Sequence, residues 1–179
     1  MQFIEAQRDM REAYMLGIPG MVTSALVWFM AGVVALHFSN QAAVLALFGG
    51  GALIFPISVL ICKALGRSGK HGKGNPLGAS ALEGTGWFIL CLPLAYGVFL
   101  ANPRWFFPAM LLVIGGRYLS FKTLYGLRLY WACGATLALA AYALAAANAA
   151  PSTGAFSGAA IEFGFALAMA MLRTRDNAV

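Results

Sequence analysis

Residues 13–62 read AYMLGIPGMVTSALVWFMAGVVALHFSNQAAVLALFGGGALIFPISVLIC and contain no Asp, Glu, Lys or Arg. A transmembrane helix needs about 20 consecutive apolar residues, so a charge-free stretch of this length is long enough for two crossings. The group His-Phe-Ser-Asn-Gln at residues 37–41 is polar and typical of a turn. We therefore expect one helix over about 16–36 and a second over about 42–65.

The composition of the whole chain indicates that its solvent is a bilayer. Hydrophobic residues make up 61% of the 179 residues and charged residues only 10%, whereas a soluble domain is about 45–50% apolar and about 25% charged. So few charged side chains cannot cover the surface of a soluble body of this size. The same figures exclude intrinsic disorder, and three cysteines are too few for a disulfide-stapled secreted domain.

The remaining sequence divides into further apolar stretches and polar breaks, which predicts an all-α integral membrane protein with six transmembrane helices. The apolar stretches are continuous and lack the alternation of a lipid-facing β-strand, which excludes a barrel. The helices form a single domain, residues 16–179, preceded by residues 1–15, which we expect to be an interfacial amphipathic helix, with a frayed tail as the alternative. The predicted spans are about 16–36, 42–65, 79–101, 105–122, 129–147 and 155–172.

The basic residues predict the orientation of these spans. Cytoplasmic loops of membrane proteins collect Lys and Arg. With six spans and both termini in the cytoplasm, eleven of the twelve basic residues fall on the cytoplasmic side and only Arg104 falls outside. The net charge of +6 is therefore explained by topology, and we expect no nucleic-acid partner, because no soluble module is left to present a basic face.

No motif predicts an enzyme, a metal site or a cofactor. The glycine-rich basic connector at residues 66–75 lacks the spacing of a phosphate-binding P-loop, and we expect a solvated loop that attracts the anionic headgroups of membrane lipids. The three cysteines lie in three different predicted spans, and His37 and His71 lie on opposite sides of the membrane. No Ser-His-Asp arrangement is recognisable, because both Asp residues lie in the terminal segments.

Ionisable residues within the apolar sequence are the main functional signal, since such residues are costly in a membrane and often mark ion or substrate paths. Glu162 lies about seven residues into the sixth predicted span, roughly 10 Å below its start, where it must be paired or protonated. Glu83 lies in the first turns of the third span, and Arg117 lies about one turn inside the fourth. Each has a structural alternative. Glu162 can be a structural acid hydrogen-bonded to a neighbouring helix, and Glu83 an acid stabilised near a helix N-terminus. Arg117 can be a cation that sets the topology or forms an ion pair.

The second predicted span also carries helix-weakening residues. Gly49, Gly50 and Gly51 are followed by Pro56, a combination that frees backbone carbonyl groups. Broken helices of this kind line many transport sites, so these four residues are candidates for one. Small residues that allow close helix packing are the alternative explanation.

A comparison of the two halves of the chain raises the hypothesis of an internal repeat of three spans. At an offset of 80, Met30 aligns with Met110 and His37 with Arg117, and at an offset of 79, Glu83 aligns with Glu162. Because three spans are an odd number, the second copy would be inverted in the membrane, as in many secondary transporters. Such a repeat predicts two acid–base pairs, Glu83 with Arg117 and His37 with Glu162, although matches in so apolar a composition also arise by chance.

Three short motifs resemble a family of small, uncharacterised multi-pass bacterial membrane proteins. They are Asn-Pro-Leu at residues 75–77, Gly-Gly-Arg-Tyr at 115–118 and Leu-Tyr at 124–125. In the family an Asn-Pro-Leu precedes the third span and a Gly-small-His element ends the fourth, where this chain has Arg117 in place of the histidine. The resemblance implies a protein of the bacterial inner membrane and implies no known activity.

Two functional hypotheses follow. The first is a small secondary transporter or ion-conducting protein for a small solute, a cation or protons, with Glu162, Glu83, Arg117 and His37 as candidate binding residues. The second is a non-transporting membrane scaffold or accessory subunit, in which the same acids are structural and the small-residue faces hold a partner membrane protein. A body this small often needs a second copy to enclose a solute path, so a homo-oligomer is among the expectations.

Overall fold

The computed structural model describes residues 1–176, with side chains up to Arg173, and within this part of the chain it is helical without any β-strand. The predicted domain end at residues 177–179 and the side chain of Arg175, assigned above to the cytoplasmic side, lie outside the described part. Short 3₁₀ turns at Met15–Gly17 and Pro103–Trp105 join two pairs of helices. The helices are α1 Phe3–Tyr14, α2 Ile18–His37, α3 Asn40–Ala64, α4 Leu77–Ala101, α5 Phe106–Tyr125, α6 Leu129–Ala146 and α7 Pro151–Asp176.

Five helical segments are long and apolar enough to cross a membrane. They comprise the continuous α1–α2 segment and helices α3, α4, α6 and α7. The prediction of an all-helical chain with several helices long and apolar enough to span a membrane is therefore confirmed. Helix α5, which corresponds to the fourth predicted span, is not among the five and carries Arg117 and Lys122 in its second half, so the count of six stays a prediction.

The break between α2 and α3 falls where the polar residues 37–41 predict a turn. Helix α2 ends at His37, and α3 begins at Asn40. The hydroxyl oxygen of Ser39 accepts a hydrogen bond of 3.1 Å from the backbone N–H of Ala42. This N-cap satisfies one of the four N–H groups that a helix start leaves unbonded, which fixes the turn to this short polar segment.

Contacts between helices are concentrated on α2, α5 and α7. Helix α2 packs against α3 and α7, α5 packs against α6 and α4, and α7 also contacts α6. The Gly154–Gly158–Glu162 face of α7 is buried, as its spacing of four predicts, because Phe107 lies against Gly154 and Trp28 against Gly158. Trp28 and Phe107 are themselves fully buried and contact each other at 6.0 Å between ring centroids.

Helices α5 and α6 approach each other through two glycines. A Cβ atom placed on Gly115 would lie 2.9 Å from the carbonyl oxygen of Gly134, and one placed on Gly134 would lie 2.6 Å from the carbonyl oxygen of Gly115. Both contacts are with backbone, which cannot turn aside as a flexible side chain can. Small residues at such positions let helices pack at backbone contact within a membrane.

Substitution of either glycine by alanine should separate α5 from α6. We expect Gly134→Ala to lower the free energy of unfolding by about 1–3 kcal/mol, the usual effect of overpacking a tight contact. The matched control is Gly116→Ala, because a Cβ atom at Gly116 meets no other atom within 4 Å. Unfolding of the purified proteins in detergent measures both effects, and equal stability of the two variants would contradict the proposed contact.

The connector, residues 66–75, is hydrogen-bonded to α1. The Asn75 side chain donates to the Ala6 carbonyl at 3.0 Å and to the Asp9 carboxylate at 2.7 Å, and it accepts from the N–H of Leu77 at 2.9 Å. Asp9 also accepts from the N–H of Gly72 at 2.8 Å. Asn75 is buried, so the Asn-Pro-Leu motif joins the start of α4 to α1.

Helix α1 also binds the end of α5. Gln7 donates a hydrogen bond of 2.7 Å to the carbonyl of Thr123, and Arg11 donates one of 2.9 Å to the carbonyl of Tyr125. The last carbonyl groups of a helix have no partner within the helix, and here α1 supplies two donors. Helix α1, the connector and the last turn of α5 therefore meet at one end of the bundle, which we call the α1 end.

Loss of the Asn75 side chain should release the connector from α1. We expect Asn75→Ala to cost about 2 kcal/mol, because it removes the hydrogen bonds to the Ala6 carbonyl and the Asp9 carboxylate and leaves the buried Leu77 N–H without its partner. Trypsin, which cleaves after Lys and Arg, should cut the connector faster in this variant. Asn40→Ala is the control, since the side chain of Asn40 makes no hydrogen bond with any described residue. Equal cleavage rates in the two variants would show that Asn75 does not hold the connector.

Candidate functional site around Glu162

Glu162 lies in the middle of the bundle. Its side chain is 0% exposed, and it follows the first residue of α7, Pro151, by eleven positions. At 1.5 Å per residue this is about 16 Å along the helix axis, deeper than the sequence predicts, because α7 begins four residues before the predicted span. Arg117 follows the first residue of α5, Phe106, by the same number of positions, so the acid and the arginine lie at a similar depth.

Three side chains surround the Glu162 carboxyl group. The hydroxyl of Tyr118 donates a hydrogen bond of 3.0 Å to Oε1, and Ser24 and Trp28 of α2 face the same group. Within the described part of the chain, Glu162 Oε2 and the indole nitrogen of Trp28 are the buried side-chain polar atoms without a hydrogen-bond partner. One carboxyl oxygen is thus held by Tyr118, while the other has no hydrogen-bond partner among the described residues.

Arg117 is the basic residue whose charge acts on Glu162. It lies within electrostatic range of Glu162, but its guanidinium donates a hydrogen bond of 3.2 Å to the hydroxyl of Thr85. The guanidinium also lies 5.1 Å from the ring centroid of Phe88 and 5.5 Å from that of Phe121. Cation–π contacts of this kind stabilise a desolvated cation without neutralising its charge, so Arg117 retains a positive charge toward Glu162.

A stack of tyrosines leads from Glu162 toward the α1 end. The ring of Tyr118 stacks on that of Tyr130 at 5.8 Å, and Tyr130 stacks on Tyr125 at 5.5 Å. The hydroxyl of Tyr130 donates a hydrogen bond of 2.6 Å to the carbonyl of Leu16 in the turn between α1 and α2. The site and the α1–α2 turn are therefore joined by a continuous series of packed aromatic rings.

The acid–base pairs predicted from the internal repeat do not form. Glu83 is exposed on α4, and His37 is exposed at the end of α2. The ion pair found among residues 1–173 joins Arg8 and Glu12 on the surface of α1. The prediction of these pairs is wrong because a sequence alignment relates positions along helices but not the direction in which side chains point.

The candidate broken helix is continuous. Helix α3 runs from Asn40 to Ala64 through Gly49, Gly50, Gly51 and Pro56 without interruption. A Cβ atom at Gly50 would lie 2.7 Å from a methyl group of Val27, whereas Gly49 and Gly51 face open space. The glycine run thus serves close packing of α3 on α2, and the single proline is tolerated within the helix, as it is in many membrane helices.

No cluster of three or more His, Cys, Asp or Glu residues that could hold a metal ion occurs in the part of the chain described.

Comparison with known protein families matches residues 3–172 to a family of unknown function, DUF7010. The chain belongs to the DUF7010 family. The resemblance to an uncharacterised family is thereby confirmed, over nearly the whole chain. No curated protein and no solved structure matches it.

Sequence reasoning identified Glu162 and Arg117 in this DUF7010 protein but missed Tyr118, Ser24 and Trp28. Ser24 and Trp28 are four residues apart, so they share one face of α2, just as Gly158 and Glu162 share one face of α7. A polar residue four positions from a tryptophan in an apolar helix is therefore the sequence pattern that could have predicted these two residues as part of the site. Tyr118 carried none, because nothing in the sequence shows which way its hydroxyl points.

Removal of the Tyr118 hydroxyl in this DUF7010 protein should destabilise the bundle. We expect Tyr118→Phe to cost about 1 kcal/mol, within the range for hydrogen bonds between membrane helices, because Glu162 then loses its donor. Tyr96→Phe is the control, since Tyr96 is partly exposed and stacks on Phe99 without a hydrogen bond of its own among the described residues. Denaturant unfolding in detergent measures the difference, and a variant as stable as Tyr96→Phe would exclude an energetic role for this bond.

Proposed function

We propose that this protein is a small secondary transporter or ion-conducting protein, not an enzyme, that binds a proton or a small cation at Glu162 in the inner membrane of a bacterium. One observation carries the proposal: Glu162 is fully buried, with one carboxyl oxygen bonded to Tyr118 and the other without a partner. Acids in the middle of membrane bundles are rare and commonly belong to ion or proton paths.

The surroundings of Glu162 suit reversible binding. An ionised carboxylate in an apolar interior is costly unless a cation or several hydrogen bonds compensate its charge. Tyr118 supplies one hydrogen bond, and Arg117 is divided between Glu162, Thr85 and two aromatic rings. A proton or cation that binds at Oε2 completes the compensation, and its release leaves Arg117 as the charge that stabilises the acid.

The proposal includes six membrane crossings with both termini in the cytoplasm. Helix α5, the fourth crossing in chain order, raises the count from five to six. Helices α6 and α7 together return the chain to the side on which α6 begins, so α7 ends at the α1 end only if α5 also crosses. Proximity of Arg173 to Cys62 near the end of α3 supports this arrangement. At the opposite end, Arg104 donates a hydrogen bond to the carbonyl of Asn148, and the excess of basic residues at the α1 end supports a cytoplasmic location for that end.

The packing of the helices supports an inverted repeat of three helices. In such a repeat α2, α3 and α4 correspond to α5, α6 and α7, respectively. The α2–α3 contact of the first half then corresponds to the α5–α6 contact of the second. The α2–α7 contact likewise corresponds to the α5–α4 contact, and all four contacts are present. Helices α6 and α7 pack together without an equally extensive contact between α3 and α4, so the repeat is approximate.

Transport can be tested with purified protein in liposomes that contain a pH-sensitive dye. We expect the wild-type protein to dissipate an imposed pH or potassium gradient, and Glu162→Gln to slow this by about tenfold or more, since Gln cannot take up and release a proton at pH 7. Glu83→Gln is the matched comparison, an acid-to-amide change at an exposed position of α4. We expect it to change the rate by less than about twofold, because Glu83 points away from the bundle and takes no part in the Glu162 site.

Absence of proton and cation movement in the wild-type protein would exclude the transport proposal and favour a scaffold or accessory subunit. Equal losses in Glu162→Gln and Glu83→Gln would show that both halves of the repeat supply functional acids. A stability measurement of each variant separates loss of the site from loss of the fold.

A further inference from the structure

A cleft of about 340 Å³ opens at the α1 end, between the last turns of α3 and the connector. It shares no residue with the Glu162 site. Its lining combines an apolar wall with polar and basic groups. The lining residues are Tyr14, Phe55, Val59, Lys63, Ser68, Gly69 and Lys70.

One wall of the cleft is a single face of α3. Phe55, Val59 and Lys63 follow one another at a spacing of four, so they lie in a row along the helix. The apolar Phe55 and Val59 lie deeper along α3, and Lys63 lies next to its C-terminal end. This order, apolar groups below a positive charge at the end of an apolar helix, matches the order of an acyl chain and an anionic headgroup in a phospholipid.

The opposite wall is the connector, which hydrogen bonds hold in place. The N–H of Gly69 donates to the carbonyl of Ala13 at 3.1 Å, and the Ser68 hydroxyl donates to the carbonyl of Lys70 at 2.7 Å. Gly69 has φ +60°, and a Cβ atom there would lie 3.0 Å from a methyl group of Val59 and 3.2 Å from its carbonyl oxygen. Glycine adopts this backbone conformation without strain and allows the close approach to Val59, and Lys70 lines the same cleft as Val59 and Lys63.

The positive charge of the cleft is not neutralised by the protein. Neither Lys63 nor Lys70 forms an ion pair with any of the side chains described. Asp9, the acid that binds the connector, accepts hydrogen bonds from Gly72 and Asn75 and forms no ion pair with either lysine. The Tyr14 hydroxyl is hydrogen-bonded to His71 at 2.9 Å, and a phenol adds no negative charge at pH 7.

The backbone at the end of α3 does not oppose an anion. A helix C-terminus carries partial negative charge on its unbonded carbonyl groups. Here the N–H of Leu65 donates to the carbonyls of Ile61 and Cys62, the N–H of Gly66 to that of Lys63, and the N–H of Arg67 to that of Cys62. These bonds satisfy three of the last carbonyls of α3, which lessens the negative charge that the helix end presents to an anion.

We propose that this cleft binds an anionic phospholipid, with the headgroup phosphate between Lys63 and Lys70 and the start of an acyl chain along Phe55 and Val59. The inference rests on the proposed membrane placement of the α1 end but not on transport at Glu162. A phospholipid is favoured over free phosphate because the apolar wall contributes only to a ligand that carries a hydrocarbon chain.

Binding can be measured on the full-length protein in detergent by native mass spectrometry, with dioleoyl phosphatidylglycerol and dioleoyl phosphatidylcholine as the two probes. We expect a preference for phosphatidylglycerol, and we expect the double variant Lys63→Gln/Lys70→Gln to bind it about tenfold more weakly. The matched control is Arg67→Gln/Lys73→Gln, which removes the same charge from the same region at two exposed residues outside the cleft. We expect this control to stay within about twofold of the wild type, as charges distant from a bound anion are screened.

A second variant tests the apolar wall. Phe55 is 64% exposed, so Phe55→Ala leaves the core intact and should weaken phosphatidylglycerol binding about threefold through loss of contact with the acyl chain. Inorganic phosphate at millimolar concentration should not displace the lipid.

Three results would overturn the proposal. They are an absence of preference for phosphatidylglycerol, equal weakening in the two charge variants, and displacement of the lipid by inorganic phosphate at millimolar concentration. The second would indicate a diffuse basic surface, and the third a site for the free anion. Activity at Glu162 is measured separately in liposomes, so loss of one site is distinguishable from loss of the other.

Discussion

The bundle depends on the contact of Trp28 with the glycine face of α7. An indole ring can lie directly on the backbone of α7 only because Gly158 has no side chain, and a Cβ atom there would lie 2.7 Å from the ring. The same contact brings α2 and α7 together over their length. Glu162, one turn further along that face, is thereby carried into the interior, where a charged group would not partition by itself. The burial of the acid is thus a consequence of the packing of its neighbours.

A second constraint acts at the α1 end. Helices in a membrane leave their terminal backbone groups unbonded unless other groups supply partners. Helix α1 provides donors to the end of α5 through Gln7 and Arg11, and it receives the connector through Asp9. It therefore contacts α3, α4 and α5 and joins the connector to the end of α5. The tyrosine stack from Glu162 ends on the turn that joins α1 to α2, so the interior site and this end of the bundle share one set of packed residues.

The sequence predicted the parts of the fold that depend on local patterns. The turn at residues 37–41 follows from a polar group between two apolar stretches, and the buried face of α7 follows from small residues at a spacing of four. The contacts of Asp9 with Gly72 and Asn75, and of Tyr118 with Glu162, join residues that are more than forty positions apart. No local pattern encodes such contacts. The predicted acid–base pairs failed for the same reason, since they required knowledge of how helices from different parts of the chain face each other.

The contrast between Glu83 and Glu162 shows how packing gives different environments to similar local sequences. Each glutamate follows an alanine and an aliphatic residue, Ala81-Leu82 in one case and Ala160-Ile161 in the other. In α4 the side chains turned toward the protein recur at spacings of three and four, and they include Ala81 and Thr85. Glu83 is two residues from each of these, which is about 200° around a helix with 3.6 residues per turn, so it must face outward. Glu162 lies one helical turn from Gly158 on the face that Trp28 covers, and this difference in register alone makes one acid a surface group and the other the centre of the bundle.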